Sequence, residues 1–168
     1  MRIVIIADTH GFLDPRIATD AAGADVLIHA GDVGDGIADA LAPLAMRVVI
    51  VAGNNDPVDC PWPVSATIDA PGGSIGVMHG HQWPAKTRHR KLCAQFDHAR
   101  AVICGHSHRR VLATESTPWL LNPGAAGKTR AYGGPSYIEL RADERTAWQV
   151  EPVVYEPWRL ARKPRRVE

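Results

Sequence analysis

The chain has 168 residues, 45% hydrophobic and 22% charged, which suits one globular domain able to bury its own core. Its formal net charge of +1 supplies no broad field for nucleic acid or a membrane surface. No segment approaches the ~20 consecutive apolar residues that span a bilayer, so a membrane partner is excluded from the expectation.

Ile3 to Ala7 is a short apolar run rich in β-branched residues, which predicts a strand covered on both faces. Leu13 to Ala22 reads as a helix with Pro15 near its start, where proline is tolerated. Asp25 to His29 is a second strand, Gly36 to Ala45 a second helix limited by Pro43, and Arg47 to Ala52 a third strand. This order predicts a βαβαβ unit with parallel strands. Val64 to Asp69 and Ser74 to Met78 predict a hairpin around Pro71-Gly72-Gly73. A helix over Lys86 to Phe96 and a buried strand over Ala101 to Cys104 follow. Val111 to Glu115 and Trp119 to Leu121 read as strands, Asn122-Pro123-Gly124 as a turn. Pro135 to Leu140 and Thr146 to Glu151 close as a hairpin-like pair. The expectation is an α/β fold of two stacked sheets with helices outside. One domain spans residues 1–156, followed by a basic, proline-containing tail over 157–168 that is expected to be partly disordered.

The odd number of cysteines (Cys60, Cys93 and Cys104), without CxxC spacing, argues against a disulfide framework and for a reducing, cytoplasmic setting. The N-terminal apolar run is too short for a signal-peptide core. Cys104, closing Ala-Val-Ile-Cys, reads as a core residue.

The chemistry lies in five short motifs: Asp8-Thr9-His10-Gly11, Gly31-Asp32, Gly53-Asn54-Asn55-Asp56, His79-Gly80-His81 and Gly105-His106-Ser107-His108. Several close a strand-like run, and strand ends are where open α/β sheets present ligand-binding groups. Their carboxylates, amide oxygen and imidazoles suit divalent Mn, Fe, Zn or Ni. Asp8, His10, Asp32, Asn54, His79, His106 and His108 can therefore be read as one dinuclear centre. A carboxylate such as Asp32 can bridge two cations ~3.5–4 Å apart, which would clamp a phosphoryl group. Neutral Asn54 adds a ligand without cancelling positive charge. Each motif alone is weak; the five in this order are specific.

The set resembles the calcineurin-like metallophosphoesterases, from Ile3 to about Leu140, and within them the small single-domain bacterial and archaeal phosphodiesterases, which share Asp8-Thr9-His10-Gly11 and Asn122-Pro123-Gly124. The resemblance implies a four-layer α/β/β/α sandwich and a hydroxide nucleophile between two ions. It implies one ion on Asp8, His10, Asp32 and His108 and the other on Asp32, Asn54, His79 and His106. Manganese is the first expectation, with nickel, zinc, iron or cobalt as alternatives. Many members carry a histidine after the metal-binding asparagine; Asn55 stands there, and the small subfamily often lacks that histidine as well. Asn55 can donate a hydrogen bond but cannot deliver a proton near neutral pH, so good leaving groups are favoured.

Asn55 and His81 are the substrate-contact candidates, with a supporting role weighed equally for His81. His29 reads as a hydrogen-bonded core histidine, His89 and His98 as solvated. Asp56 is weighed as a ligand buttress or a turn former before Pro57. Asn122 is weighed as a site border or an ordinary turn residue. Lys86, Arg88, Arg90, Lys91 and Arg130 read as surface before phosphate contact, Trp62 and Trp83 as packing before pocket wall. The expected function is metal-dependent phosphodiester hydrolysis of a small or nucleotide-like substrate at an open site. A non-catalytic scaffold, as in the retromer subunit of this fold, and a nuclease are the alternatives. Nucleic acid is the disfavoured partner, and a contact between identical subunits stays open.

Overall fold

The computed structural model describes residues 1–158; the tail from Arg159 onward, with the disorder expected of it, lies outside the described residues. Strands β1 (Arg2–Ile6), β2 (Ala24–His29) and β3 (Ala45–Ile50) alternate with helices α1 (Pro15–Ala21) and α2 (Ile37–Leu41). β1 pairs parallel with β2, and β2 with β3, as the alternation predicted. The last strands, β9 (Ser136–Arg141) and β10 (Gln149–Val154), add antiparallel to the free side of β1, giving the order β10-β9-β1-β2-β3. The second sheet runs β4-β5-β6-β8-β7, built from β4 (Ser65–Ala70), β5 (Gly73–Met78), β6 (Ala101–Ile103), β7 (Val111–Ala113) and β8 (Trp119–Asn122). Helix α3 (Ala85–Gln95) joins β5 to β6.

Three apolar clusters set the layers. Ile3, Ile5, Ile28, Ile75, Val77, Ile103, Leu121 and Ile138 fill the space between the sheets. Val4, Ile6, Leu27, Ile17 and Leu41 pack α1 and α2 on the outer face of the first sheet. Leu92, with Val102, Cys104 and Leu120, seats α3 on the outer face of the second. The parallel strands feed two cores at once, which is why they read as unbroken apolar runs. The result is the four-layer α/β/β/α sandwich with two mixed sheets. Among the described residues no helix is long and apolar enough to cross a membrane.

Element boundaries differ from expectation where side chains cap or turn the chain. Helix α1 starts at Pro15, because Asp14 is the cap: its Oδ1 accepts from Arg16 N at 2.9 Å. Helix α2 stops at Leu41, since Pro43 and a Leu44-to-Leu41 backbone turn end it and let β3 begin at Ala45. The final strand begins three residues later than predicted. Asp143 Oδ1 accepts from Arg145 N (2.7 Å) and Thr146 N (3.0 Å), holding that stretch in a turn, so pairing starts at Gln149 opposite Arg141. Pro152 lies in β10, an edge strand, where its missing N–H is tolerated. Trp158 folds back rather than trailing away, its indole N–H donating to Asp14 Oδ2 at 2.8 Å.

Candidate metal centre

The loops that follow β1, β2, β3, β5 and β6 meet at one end of the sandwich. They are laced by backbone bonds: Asp8 N to Gly31 O and His10 N to Asp32 O (both 3.0 Å), and Gly105 N to His79 O (3.1 Å). Asp8, His10, Asp32 and His108 offer ligand atoms that all lie within 4.8 Å of one another. Three of these four are fully buried and His10 is partly exposed.

Asp32 lies between two groups. Its Oδ2 faces His10 Nε2 at 3.8 Å and its Oδ1 faces His79 Nε2 at 3.4 Å. On the first side, His10 Nε2 and His108 Nε2 are 3.2 Å apart, and His108 Nε2 is 3.4 Å from Asp8 Oδ1. Two nitrogens ~2.0–2.1 Å from one ion must sit about 3 Å apart, so this spacing fits a shared cation. On the second side, His106 Nδ1 and Asn54 Oδ1 are 2.9 Å apart, and the His79 and His106 rings are 5.3 Å apart. Asp8, His10, Asp32 and His108 thus form one cluster, and Asp32 also faces His79, whose ring lies beside the His106–Asn54 pair.

The surrounding hydrogen bonds fix which imidazole nitrogen is free. A carbonyl only accepts, so His108 Nδ1 must donate to Thr129 O (2.8 Å) and His79 Nδ1 to Ala30 O (2.7 Å). Both Nε2 lone pairs are thereby turned into the site, the usual second contact of a metal-binding histidine. His79 Nε2 and Asp8 Oδ2 are buried and have no hydrogen-bond partner among the described residues. Such atoms are costly unless something satisfies them. A divalent cation fits both.

Electrostatics agrees. Burial pushes the Asp8 carboxyl up to about 7; the His79 charge pulls it down and Asp32 adds to the rise. Burial also opposes ionisation of Asp32, but the contact and charge of His79 and the Asn55 donors outweigh it and hold Asp32 below the usual carboxylate range. Burial works against a charged His79 as well, yet Asp32 and Asp8 raise it above the ordinary histidine value. Burial lowers His106 to about 4, with the charges of His79 and Arg88 adding, and lowers His108 and His81. Two adjacent buried acidic groups, Asp8 and Asp32, beside the His106 and His108 rings that burial keeps neutral form a site that a cation stabilises.

The backbone was the part that motifs did not reveal. Asp8, His10, Asp32, His106 and His108 all adopt positive φ, between 48° and 67°. For non-glycine residues this conformation costs about 1–2 kcal/mol each, and it persists only where the surroundings impose it. It turns the side chain out of the pleat at the strand end. Gly53 solves a different problem: a Cβ there would overlap Asp32 Oδ1 and its backbone N.

Asp56 is the buttress. Its Oδ2 accepts from Asp32 N (3.0 Å) and Gly53 N (2.7 Å), its Oδ1 from Val33 N (2.8 Å) and Gly34 N (3.2 Å). It locks the Asp32 loop to the Asn54 loop. Asn55 turns its donors on Asp32: backbone N to Oδ1 (2.9 Å) and Nδ2 to Oδ2 (2.7 Å). Asn122 braces the last motif, its Nδ2 donating to Gly105 O (2.8 Å) and Ser107 Oγ (3.2 Å). Arg88, expected on a solvated face, instead pins the His79 loop through Gly80 O (2.7 Å) and Trp83 O (3.2 Å); Lys86, Arg90 and Lys91 are exposed. His81 stacks obliquely near His79 and His106, ring centroids 5.4 and 6.3 Å away, and its buried Nδ1 has no partner among the described residues.

Several residues behave as packing. His29 is fully buried with Nε2 against Thr9 Oγ1 (2.8 Å) and Nδ1 accepting from Gly31 N (3.2 Å). Thr9 passes the contact on, donating to Val33 O (2.7 Å), a link the sequence had not singled out. Trp62 and Trp83 pack on the outer cores. Burial pushes the Cys104 thiol up to about 12, as a core residue requires.

Residues 1–145 match the calcineurin-like phosphoesterase superfamily domain. The chain belongs to this superfamily. It is 32% identical over 133 residues to a probable metallophosphoesterase of Methanocaldococcus jannaschii, spanning 74% of this chain and 68% of that protein. A single mutant of Vps29 from Entamoeba histolytica superposes with a TM-score of 0.75 at 22% identity, over 93% of this chain and all (100%) of that one. Wild-type Vps29 from the same organism, solved with zinc, gives 0.72 at 23% identity, covering 92% and 99%. At these identities the two Vps29 structures speak for the fold. A superfamily member with this donor cluster is a metallophosphoesterase homologue with the residues of a divalent-metal site.

Proposed function

We propose that the chain is a metal-dependent phosphodiesterase. Two divalent ions, manganese foremost, would be held by Asp8, His10, Asp32 and His108 and by Asp32, Asn54, His79 and His106. The observation that carries this reading is the Asp32 carboxylate, whose two oxygens face different histidines. Bound there, paired cations supply an activated water and neutralise charge on a phosphoryl group.

The chain's own residues do the rest by positioning. Asp56 and Asn122 hold the ligand loops, so little reorganisation is needed when substrate arrives. Asn54 leaves the net positive charge of the centre high. Asn55, through the second hydrogen of the Nδ2 group that binds Asp32, and His81 would donate to the ester. Neither replaces a general acid: Asn55 has no titrating proton, and burial lowers the His81 value. Departure of the alcohol then depends on its own acidity. The centre opens on a cleft of about 480 Å³ bordered by His10, Asp32, Asp35 and Asn55, room for a small phosphate ester or nucleotide-like substrate.

The test is hydrolysis of an aryl phosphodiester after chelation, followed by Mn²⁺, Ni²⁺, Co²⁺ or Zn²⁺. Activity abolished by chelation and restored by an ion supports the proposal. Bound metal without turnover would favour a scaffold role on the same fold. Cleavage of single-stranded DNA or RNA at low salt would favour a nuclease.

A further inference from the structure

The segment 127–130 presses on the metal centre from the His10 and His108 side. Gly127 packs so closely on the Thr9 and Phe12 carbonyls that a Cβ would overlap Thr9 O. Thr129 O accepts from His108 Nδ1 at 2.8 Å. The next residue, Arg130, has a left-handed φ of 49°, and its Nη2 lies 3.4 Å from His108 Nε2. An arginine takes that backbone only when its surroundings impose it.

Neighbouring cations are committed to packing. Lys128 Nζ sits 3.7 Å from the Phe12 ring centroid, and the Arg109 guanidinium 4.7 Å from that of Tyr132. Arg110 Nη1 donates to Tyr132 O (2.9 Å). Arg88 is spent on Gly80 O and Trp83 O. Among the described residues of this rim, Arg130 is the cation aimed at a ligand atom.

A guanidinium has no lone pair and stays charged, so it cannot serve as a metal ligand. Beside a divalent ion it would be repelled unless an anion lay between them. The anion that a phosphoesterase brings to this place is its substrate's phosphate. We infer that Arg130 is a phosphate-binding residue, donating to an oxygen of the substrate phosphate from the His10–His108 side. The inference rests on the phosphoesterase reading and deepens it: the chain supplies a permanent cation to the phosphate, besides any metal.

Three variants test it: Arg130→Gln, Arg130→Lys and Lys128→Met, the last a charge control. Each is loaded with Mn²⁺ and its metal content counted. Hydrolysis of bis(p-nitrophenyl) phosphate and of p-nitrophenyl phosphate, inhibition by inorganic phosphate, and calorimetric phosphate binding are then measured. A lost hydrogen bond to a charged group predicts kcat/KM and phosphate affinity about 10- to 100-fold lower in Arg130→Gln. Metal content should be unchanged, Arg130→Lys partly restored, and Lys128→Met near wild type. Values within twofold of wild type in Arg130→Gln overturn the inference, as does a loss explained by missing metal or shared equally by Lys128→Met. If the wild type turns over neither ester, the proposed function fails on its own; phosphate binding still decides Arg130, and no binding, or equal binding by Arg130→Gln, overturns the inference.

Discussion

Replacing Asp56 with asparagine tests how the site is held together. The carboxylate accepts four backbone N–H groups, two on each oxygen, from Asp32, Val33, Gly34 and Gly53. An amide offers one oxygen and one NH2. Whichever way it turns, two of those N–H groups meet another N–H. A hydrogen bond to a charged acceptor contributes about 1.5–3 kcal/mol, so two lost bonds remove at least ~3 kcal/mol. For a domain of this size 1 kcal/mol moves the melting temperature by about 2–4 °C, which gives a drop of roughly 6–12 °C. Thermal unfolding followed by circular dichroism, with chelator present so that metal linkage does not enter, reads it directly. A melting temperature within about 2 °C of wild type would instead make Asp56 an ordinary turn residue.

Burial holds His29 down to about 3, so the folded state keeps it neutral. Its contribution is complete above the unfolded value of ~6.5 and is lost as pH falls from there toward the folded value, about 2 kcal/mol by pH 5. Urea unfolding of metal-free protein at pH 7 and 5 should show a smaller pH difference in His29→Gln than in wild type; equal differences would contradict the assignment. Gly53→Ala forces a Cβ onto Asp32, and calorimetry should find Mn²⁺ affinity at least tenfold weaker; unchanged affinity would mean that the close approach is not needed. Asn55→His should reduce the dependence of diester hydrolysis on leaving-group pKa, because a titrating donor then stands beside the ester. A wild-type rate that is already flat across leaving groups would remove the argument from the missing proton donor.

What the sequence conveyed best was whatever depends on local pattern. The alternation of apolar runs and helices placed β1 to β3, and motif position at strand ends picked out residues whose loops meet at one end of the sandwich, Asp8, His10, Asp32 and His108 among them. It conveyed less where a side chain chooses a distant partner. Arg88 looked like one of four exposed cations, because nothing local says that Gly80 O and Trp83 O lie within its reach. Asp56 had two readings until the Asp32 loop was seen beside it. The shift of β10 came from Asp143, whose short side chain captures two backbone N–H groups and delays the strand. The left-handed backbone at Asp8, His10, Asp32, His106 and His108 has only a weak signature, since aspartate and histidine tolerate positive φ better than most residues, and the adjoining Gly11, Gly31 and Gly105 mark the tight turns. Arg130 gave no signal beyond its charge.

The proposed function turns on Asp32 being shared by two cations. Counting Mn²⁺ ions per chain, after equilibrating chelator-stripped wild type and Asp32→Asn with the ion, tests it most directly. Two ions are expected in the wild type, and a loss of tight binding at both positions in Asp32→Asn. One ion in the wild type, or two retained without the Asp32 carboxylate, would contradict it.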